Sequence, residues 1–394
     1  MNVRESAQPV TPHLHSKEHF LALDGMRGIA ACVVLIYHRR GYLGHGLAEH
    51  GYLAVDFFFI LSGFVISHAY GGRLTDSSMS FWQFFRARAI RLGPLVMLGA
   101  LMVAFVELMV VVNGGDLDTF SWVRRQGNPT TLSSYLITLP LAMLALPNPW
   151  LGNPFGINEP RWSLFFEMVA NLAFALVAPW LTNRRLAWVL SLLTIGLSVA
   201  VLANPVSQAT HAGVVLGETG LRNVYLTGLL RVTASFLAGV ALQRLWAVQR
   251  LPKIRAPFWL LATILVAILF APVFGDNTEA AYVLISCVIA FPIIIIIGCQ
   301  CSLSPIFKWI ATWSAALSFP LYILHLPMLE CFDFLHGKDP ARTHVWLLTE
   351  LAVCCALALA IGRYFDRPIR SWLSSRWSGS DAEARQPAPP AAGD

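Results

Sequence analysis

The sequence carries little charge. Asp, Glu, Lys and Arg make up 13% of the 394 residues, whereas hydrophobic residues make up 56%. Soluble domains average about 25% charged residues, so this composition excludes an ordinary soluble fold and indicates a polytopic membrane protein. The arm that precedes Phe20 contains no apolar stretch, and we therefore expect no cleaved signal peptide.

The sequence also lacks the cysteine pattern of a disulfide framework or a structural metal site. Its seven cysteines are an odd number, and their spacing is not that of metal ligands. Cys299 and Cys301 are too close together for an ordinary zinc pair, and we expect them at a helix end. Internal repeats, a phosphate-binding glycine loop and nucleic-acid-binding motifs are missing as well. We therefore predict no metal site, no bound cofactor and no nucleic-acid partner.

What the chain has instead is a series of hydrophobic segments long enough to cross a bilayer, which takes a helix of about 20 residues. They predict an all-α fold, a polytopic membrane helical bundle of about 10 transmembrane helices. The segments lie at 20–39, 50–70, 92–112, 162–181, 187–204, 222–243, 257–274, 280–298, 309–331 and 345–364. We group residues 20–372 as one transmembrane domain, with a cytoplasmic arm at 1–19 and a disordered cytoplasmic tail at 373–394.

A further apolar segment, 133–147, is short and contains proline. The basic clusters that decide its status lie at 86–91, 184–185, 244–255 and 363–376. If 133–147 does not cross, all of these clusters lie on the side of the N-terminus, as the positive-inside rule requires. We therefore predict that it is a re-entrant or interfacial piece of a long outer segment, 113–161. Both termini are then expected to lie in the cytoplasm, and the protein is expected to reside in the inner (plasma) membrane.

The first helix carries a polar stripe. Eleven residues turn an α-helix by about 1100°, so Arg27 and His38 share one face and lie about 16 Å apart. Asp24 precedes Arg27 by three residues and can pair with it. Polar groups at membrane depth are costly and usually functional. The alternative, in which Asp24 and Arg27 lie at the inner headgroups and His38 at the outer ones, stays open on geometry alone.

A family resemblance is carried by five motifs that occur in order. They are Asp24-Gly25-x-Arg27-Gly28-Ile29-Ala30-Ala31 with the following His38, Asp-Phe-Phe-Phe-Ile-Leu-Ser-Gly-Phe at 56–64, Arg86-Ala-Arg88, Trp-Ser-Leu-Phe-Phe-Glu at 162–167, and Ser-Phe-Pro-Leu-Tyr-Ile-Leu-His at 318–325. This set resembles the membrane acyltransferase-3 family of O-acyltransferases. The chain departs from many relatives at Met168, where they carry a second acidic residue or Gln after Glu167.

The resemblance implies catalytic roles for His38, Arg27 and Glu167. His38 would be the base that deprotonates an acceptor hydroxyl for attack on a thioester, or a nucleophile that carries the acyl group. Arg27 would stabilise negative charge on the substrate, and Glu167 would serve the acceptor site or orient His38. Structural alternatives stay open: a His38 bonded to a loop, an Arg27 that only anchors its helix, and a Glu167 paired with Arg161 or Asn171.

Three arginines at the start of the third helix form the predicted donor site. Arg86, Arg88 and Arg91 lie on the predicted cytoplasmic side, where guanidinium groups could clamp the phosphates of coenzyme A. Taken alone, a basic cluster at this place commonly reflects topology. The resemblance, however, implies that the acyl-CoA contact lies at Arg86-Ala-Arg88.

Other polar residues are assigned to substrate binding: Asp24, Asp56, Trp162 and His325. Asp56 could instead orient the first helix, and His325 could be a hydrogen-bonded packing residue. Further charged residues fall within predicted spans, and the sequence leaves their pairing open: Glu107, Arg231 and Glu350.

Together these features predict an integral-membrane acyltransferase, an O-acetyltransferase-like enzyme. It would move an acyl group, expected to be acetyl, from cytoplasmic acyl-CoA to a hydroxyl of a carbohydrate or another envelope-associated or secreted acceptor, as in polysaccharide modification. Acyl-CoA would be a co-substrate. The alternatives are a polytopic transporter of a small polar or anionic solute, which an internal repeat would favour, and a catalytically silent assembly protein.

Overall fold

The computed structural model of the protein describes residues 20–40, 47–114, 132–149, 154–203, 220–336 and 344–383. These residues form α-helices joined by short turns, with no strand among them. The helices are α1 (Leu21–Arg39), α2 (Ala54–Ile66), α3 (Gly72–Thr75), α4 (Phe81–Val112), α5 (Leu132–Met143), α6 (Arg161–Val177), α7 (Asn183–Ala203), α8 (Gly220–Ala247), α9 (Phe258–Leu269), α10 (Asp276–Ile285), α11 (Phe291–Gly298), α12 (Pro305–His336), α13 (His344–Ile361) and α14 (Arg367–Glu383). A 3₁₀ turn at Gly51–Leu53 precedes α2, and π turns lie at Ser67–Gly71, Ser286–Ala290 and Gly362–Asp366.

Each hydrophobic segment predicted from the sequence overlaps one or more of these helices, and the protein is an all-α membrane helical protein. In the part of the chain that the structure describes, seven helical stretches are long and apolar enough to cross a membrane. They are Leu21–Arg39, Gly51–Thr75, Phe81–Val112, Asn183–Leu202, Thr278–Gly298, Pro305–Leu335 and Val345–Trp377.

The figure of about 10 spans stays a prediction, because three of the predicted spans, 162–181, 222–243 and 257–274, are not among these seven stretches. The helix α6 has 17 residues and the helix α9 has 12. Both are shorter than a straight span, which needs about 20 residues. The sidedness of the termini and the re-entrant character of 133–147, which overlaps α5, stay predictions as well.

The first helix packs against α12 through a close approach of the two backbones. A Cβ atom at Gly28 would overlap the backbone carbonyl of Ser314, so only glycine fits there. The Ser314 hydroxyl donates a hydrogen bond to the Gly25 carbonyl oxygen at 2.7 Å. This pairing of α1 with α12 brings Arg27 beside Ser318, and it brings His38 beside His325 about three turns further along α1 and two turns further along α12.

The second helix packs against α8 in a similar way, around a buried ion pair. A Cβ atom at Gly63 would overlap the carbonyl of Phe236. At the same interface, the Asp56 carboxylate accepts hydrogen bonds from Nε and Nη2 of Arg231. Both side chains are almost completely buried. A charge buried at this depth is stable only when it is paired, which answers the question that the sequence left open for Arg231.

The last residue of α1, Arg39, is held inside the bundle by α12 and α13. Its Nε atom lies 2.9 Å from Glu350, and its Nη1 atom lies 3.0 Å from Asp333. Its Nη2 atom donates to the carbonyl oxygen of Leu329 at 3.0 Å. Arg39 is 4% exposed. Three oxygen-bearing groups on two helices therefore fix the end of α1. Arg39 is the partner of Glu350 that the sequence left open.

Two further buried polar side chains hold the segment around α5. The Tyr135 hydroxyl of α5 donates to Glu107 of α4 at 2.6 Å, which gives that carboxylate its partner. Arg161, 1% exposed, binds main-chain oxygens and so closes the segment that precedes α6. These acceptors are the carbonyl groups of Leu146, Pro154 and Ile157.

The disordered tail at 373–394 stays a prediction, and α14 continues through its first part, residues 373–383. Aromatic side chains give this stretch something to pack with, which the charge-rich composition concealed. The guanidinium of Arg86 in α4 lies 5.3 Å from the ring centre of Trp377. The predicted N-terminal arm, 1–19, and the rest of the predicted tail, 384–394, lie outside the described residues.

Candidate active site

A cavity of about 200 Å³ lies at the centre of the bundle, between α1, α2, α4, α6 and α12. Its walls are partly aromatic, with Phe58, Phe59 and Phe319. Its polar lining residues are Arg27, Ser62, Arg88, Arg91, Ser163, Glu167, Ser318 and Tyr322. Polar side chains around a cavity inside an apolar bundle mark a functional site. Among the described residues, no group of three or more His, Cys, Asp and Glu side chains could hold a metal ion.

Glu167 is the acidic centre of this cavity. The Ser62 hydroxyl donates to Glu167 Oε1 at 2.6 Å, and Arg88 Nη2 lies 3.3 Å from the same oxygen. The alternative partners considered from the sequence are wrong, because Arg161 binds main-chain carbonyls and no described partner bonds to the Asn171 side chain. The carboxylate is therefore stabilised in the membrane by residues that are distant in sequence.

Arg27 bridges the first helix and α12. Its Nη2 atom forms an ion pair with Asp24 at 3.2 Å, and its Nε atom donates to the Ser318 hydroxyl at 2.9 Å. Arg27 therefore pairs with Asp24, as the structural alternative predicted, and it also lines the cavity, while its catalytic role stays a prediction. The guanidinium is fixed in direction by these partners, as a group that stabilises developing charge needs to be.

The three arginines of the predicted donor site are divided by the helix that carries them. Arg88 points into the central cavity, and Arg86 packs on Trp377 of α14. Arg91 lines the central cavity with its guanidinium 5.0 Å from the ring centre of Phe319. Consecutive helical residues are about 100° apart, so Arg86 and Arg88 face nearly opposite directions, whereas Arg88 and Arg91 share one side.

His38 and His325 form a pair at the other end of the first helix's polar stripe. Their ring centres are 4.9 Å apart. His38 is exposed, whereas His325 is 1% exposed. His325 Nδ1 lies 2.8 Å from the Tyr322 carbonyl oxygen, which can only accept, so Nδ1 carries the proton. His325 Nε2 is then a lone-pair acceptor, buried and without a described partner.

Tyr322 is the cavity-lining residue that lies next to the histidine pair. Its side chain lines the cavity, and its hydroxyl shares a hydrogen bond of 2.6 Å with Ser163. Its ring centre is 6.1 Å from that of His325. His38 itself is not among the cavity-lining residues. The predicted base thus lies outside the cavity that the predicted carboxylate lines.

Comparisons with known proteins assign the family. The sequence profile of an acyltransferase domain, that of the acyltransferase-3 family, matches residues 20–364. The chain belongs to the acyltransferase-3 family. This confirms the resemblance seen in the motifs. The match covers α1 to α13, and it includes the residues that line the central cavity as well as the histidine pair.

Three relatives illustrate the family. Protein 2 in the picA locus of Rhizobium radiobacter is 36% identical over 187 residues, 46% of this chain and 95% of that protein. The putative peptidoglycan O-acetyltransferase YrhL of Bacillus subtilis is 26% identical over 386 residues, 89% of this chain and 54% of the relative. The peptidoglycan O-acetyltransferase OatA of Listeria monocytogenes is 25% identical over 383 residues, 90% of this chain and 56% of the relative. The chain thus spans about half the length of the last two relatives. No solved structure matches it.

In this acyltransferase-3 protein, several cavity residues were not singled out from the sequence. They are Ser62, Ser163, Ser318 and Tyr322. All of them lie within the motifs that carry the family resemblance, as polar positions in otherwise apolar runs. That contrast is the signal that could have found them, because an isolated hydroxyl in a membrane helix needs a partner.

None of the four residues assigned to substrate binding lines the central cavity of the acyltransferase-3 protein, and two of them, Asp56 and Trp162, are engaged by other side chains. Asp56 is occupied by Arg231 in the contact between α2 and α8. Trp162 packs edge-on against Phe59 and Phe166, with ring centres 6.3 Å apart in each case. Neither is among the cavity-lining residues. Their surroundings favour structural roles, which differ from the roles predicted for them.

Proposed function

We propose that this acyltransferase-3 protein is a membrane O-acetyltransferase that moves an acetyl group from acyl-CoA to a hydroxyl of an envelope carbohydrate. Relatives named as peptidoglycan O-acetyltransferases support the reaction and the class of acceptor. The observation that carries the proposal is the polar cavity inside an apolar bundle, lined by Arg27, Arg88 and Glu167, together with the nearby His38–His325 pair, in which the ring centre of His325 lies 6.1 Å from that of the cavity residue Tyr322.

In the proposed reaction, His38 takes the proton of the acceptor hydroxyl while the hydroxyl oxygen attacks the thioester carbonyl carbon. A tetrahedral oxyanion forms close to His38, whereas Arg27, about 16 Å away, would bind negative charge on another part of the donor. The C–S bond then breaks, and the coenzyme A thiolate takes the proton from His38. The products are an acetyl ester and the free thiol, and His38 is ready for another cycle.

The arrangement of the first helix supports opposite approaches of the two substrates. Arg27 and His38 lie about 16 Å apart along the helix, a distance suited to an elongated donor. The donor would enter from the end of Arg27, which is the predicted cytoplasmic side of the inner membrane. The acceptor would approach the exposed side chain of His38 from the other side. The family assignment favours this enzyme over the transporter alternative, since the peptidoglycan relatives carry enzyme names.

The test is release of free thiol from acetyl-CoA by protein purified in detergent, with and without peptidoglycan or polysaccharide fragments, and with acceptor acetylation followed by mass spectrometry. The wild type should acetylate one of the acceptors. His38→Ala and His38→Gln should lose about 10²- to 10⁴-fold in rate, because neither side chain can cycle a proton.

His68→Gln is the matched control, since His68 packs on Phe20 and Trp246. It does not line the cavity and is not a member of the histidine pair. It should transfer acetyl groups at the wild-type rate. Wild-type protein that transfers no acetyl group from acetyl-CoA would contradict the proposed donor, and a fully active His38→Gln would contradict the proposed base.

A further inference from the structure

A second cavity, of about 320 Å³, adjoins the central one. It lies between α1, α4, α12, the π turn Gly362–Asp366 and α14. It shares Arg27, Arg91 and Phe319 with the central cavity. Its charged lining residues are Asp24, Arg27, Arg91, Asp366, Arg367 and Arg370. The shared residues mean that an elongated molecule could occupy both cavities at once.

The charges of the second cavity favour an anion. Four arginines against two aspartates give it a net charge of +2. The aspartates are each matched by an arginine, with Asp24 paired to Arg27 at 3.2 Å and Asp366 to Arg370 at 2.9 Å. The remaining arginines are surplus positive charges that line the cavity: Arg91 and Arg367. Guanidinium groups in this number suit the oxygens of phosphate groups, which they bind in a bidentate manner.

Unsatisfied polar atoms in the same wall indicate that the cavity is built for a ligand. Asp366 is 2% exposed, and its Oδ1 atom has no described hydrogen-bond partner. Arg370 Nε is buried and lacks a described partner as well. Buried polar atoms are normally satisfied, so a missing donor for Asp366 and a missing acceptor for Arg370 need an explanation. A ligand that carries both hydroxyl groups and phosphates would supply them.

The backbone is specialised at the same place. The π turn Gly362–Asp366 inserts one extra residue between α13 and α14, which rotates the following residues by about 100° relative to a continuous α-helix. A Cβ atom at Gly362 would come within 2.9 Å of Pro320 Cγ in α12. The π turn and this close approach together direct Asp366, Arg367 and Arg370 to the cavity. Such turns are frequent at functional sites.

We propose that the second cavity binds the phosphate groups of the acyl donor, with Arg367 and Arg370 as phosphate ligands, and that the acyl arm passes Phe319 into the central cavity. The inference rests on the proposed function, because it takes a coenzyme A thioester as the donor. It moves the phosphate site from Arg86 and Arg88 to the contact of α14 with α1 and α12. Arg91, at the junction of the two cavities, is the part of the sequence-predicted donor site that it keeps.

The experiment measures equilibrium binding of coenzyme A to the full-length protein in nanodiscs of neutral lipid. Arg367→Gln and Arg370→Gln should each weaken binding by about 10- to 150-fold, the effect of losing a charge-assisted hydrogen bond. Arg370→Lys, which keeps the pairing with Asp366 but not the fork, should recover only part of the affinity. Arg363→Gln is the matched control, since Arg363 is exposed on the same π turn and lines neither cavity.

A probe without phosphates separates phosphate binding from folding. Arg367→Gln and Arg370→Gln should weaken the binding of pantetheine, which lacks the phosphate groups, less than they weaken the binding of coenzyme A, because the pantetheine arm does not reach α14. Unchanged coenzyme A affinity in the double variant would overturn the inference and leave the proposed function intact; this is also the result expected if the cavity holds the phosphate of an anionic lipid. Wild-type protein that binds no coenzyme A would overturn the proposed donor and the inference with it.

Discussion

Arg88 and Glu167 form an ion pair across the central cavity, with Arg88 Nη2 3.3 Å from Glu167 Oε1. Their side chains are 13% and 16% exposed, so solvent screens the pair only weakly. The pair joins two of the five family motifs, the Arg86-Ala-Arg88 motif in α4 and the motif that ends with Glu167 in α6. An arginine predicted to hold donor phosphates is thus engaged with the carboxylate at the centre of the site.

The first prediction concerns this pair as a unit. Arg88→Ala leaves Glu167 without its charged partner, and Glu167→Gln leaves Arg88 without its own; each loss should cost about 1–3 kcal/mol of transition-state stabilisation. The double variant should be no less active than the less active of the two single variants, because the losses caused by substituting residues that act together do not add. The measurement is kcat/KM for acetyl transfer in all three variants, with Arg73→Ala, an exposed arginine of α3, as control. Additive losses would show that the two side chains act independently.

The second prediction distinguishes a functional His325 from a packing residue. Asn can replace the Nδ1–H donor to the Tyr322 carbonyl but leaves no group at the position of Nε2, whereas Gln places an amide near Nε2. If His325 Nε2 supports His38, His325→Asn should lose about 10²-fold in rate and His325→Gln should lose less. Melting temperatures of both variants serve as the check on folding. Two variants with wild-type rates would assign His325 to packing.

The third prediction is that Asp56 stabilises the fold and does not bind the acceptor. Asp56→Asn leaves the Arg231 guanidinium buried without its counter-charge, which should destabilise the protein by about 3–5 kcal/mol. Replacing both residues, as in Asp56→Leu with Arg231→Met, should restore much of this stability, since a buried pair can be exchanged for apolar groups. Thermal unfolding in detergent tests the stability. A raised KM for the acceptor in a stable double variant would return Asp56 to the binding site.

The fourth prediction concerns the contact of α1 with α12. Gly28→Ala places a methyl group against the Ser314 carbonyl, so the helices must separate, at a cost of about 1–3 kcal/mol. Acetyl transfer should fall with stability, because both Arg27 and His38 are positioned by this contact. Gly93→Ala in α4 is the matched control: nothing lies within 4 Å of its Cβ position, and it should stabilise the helix by about 0.5–1 kcal/mol. Equal behaviour of the two variants would exclude the close approach.

Local and periodic features were predictable from the sequence. Helical spacing placed Asp24, Arg27 and His38 on one face of α1, and the i,i+3 rule anticipated the Asp24–Arg27 pair. Hydrophobic runs located the helices, because the length of a span is set by the bilayer. The family motifs identified Glu167 and His325 as candidate site residues. Their local sequence pattern alone does not predict which residues surround them in the fold.

Pairings between distant helices were not predictable. Glu167 is bonded to Ser62 and Arg88, and the sequence analysis searched for its partner on neighbouring turns. Arg86, Arg88 and Arg91 were treated as one cluster because counting charges ignores the direction in which a helix presents them. Arg39 was not singled out from the sequence, since its partners lie on α12 and α13, about 290 to 310 residues further along the chain.

The anchoring of Arg39 affects how loss-of-function screens of this protein should be interpreted. Arg39 is the neighbour of His38 in the last turn of α1, and its hold on that turn depends on Asp333 and Glu350. Substitutions at these two acidic residues would displace His38 without touching either substrate, so their activity phenotype would resemble that of a missing base. Acidic positions in α12 and α13 can therefore imitate catalytic residues in genetic data, and only donor-binding and stability measurements on the purified protein separate the two classes.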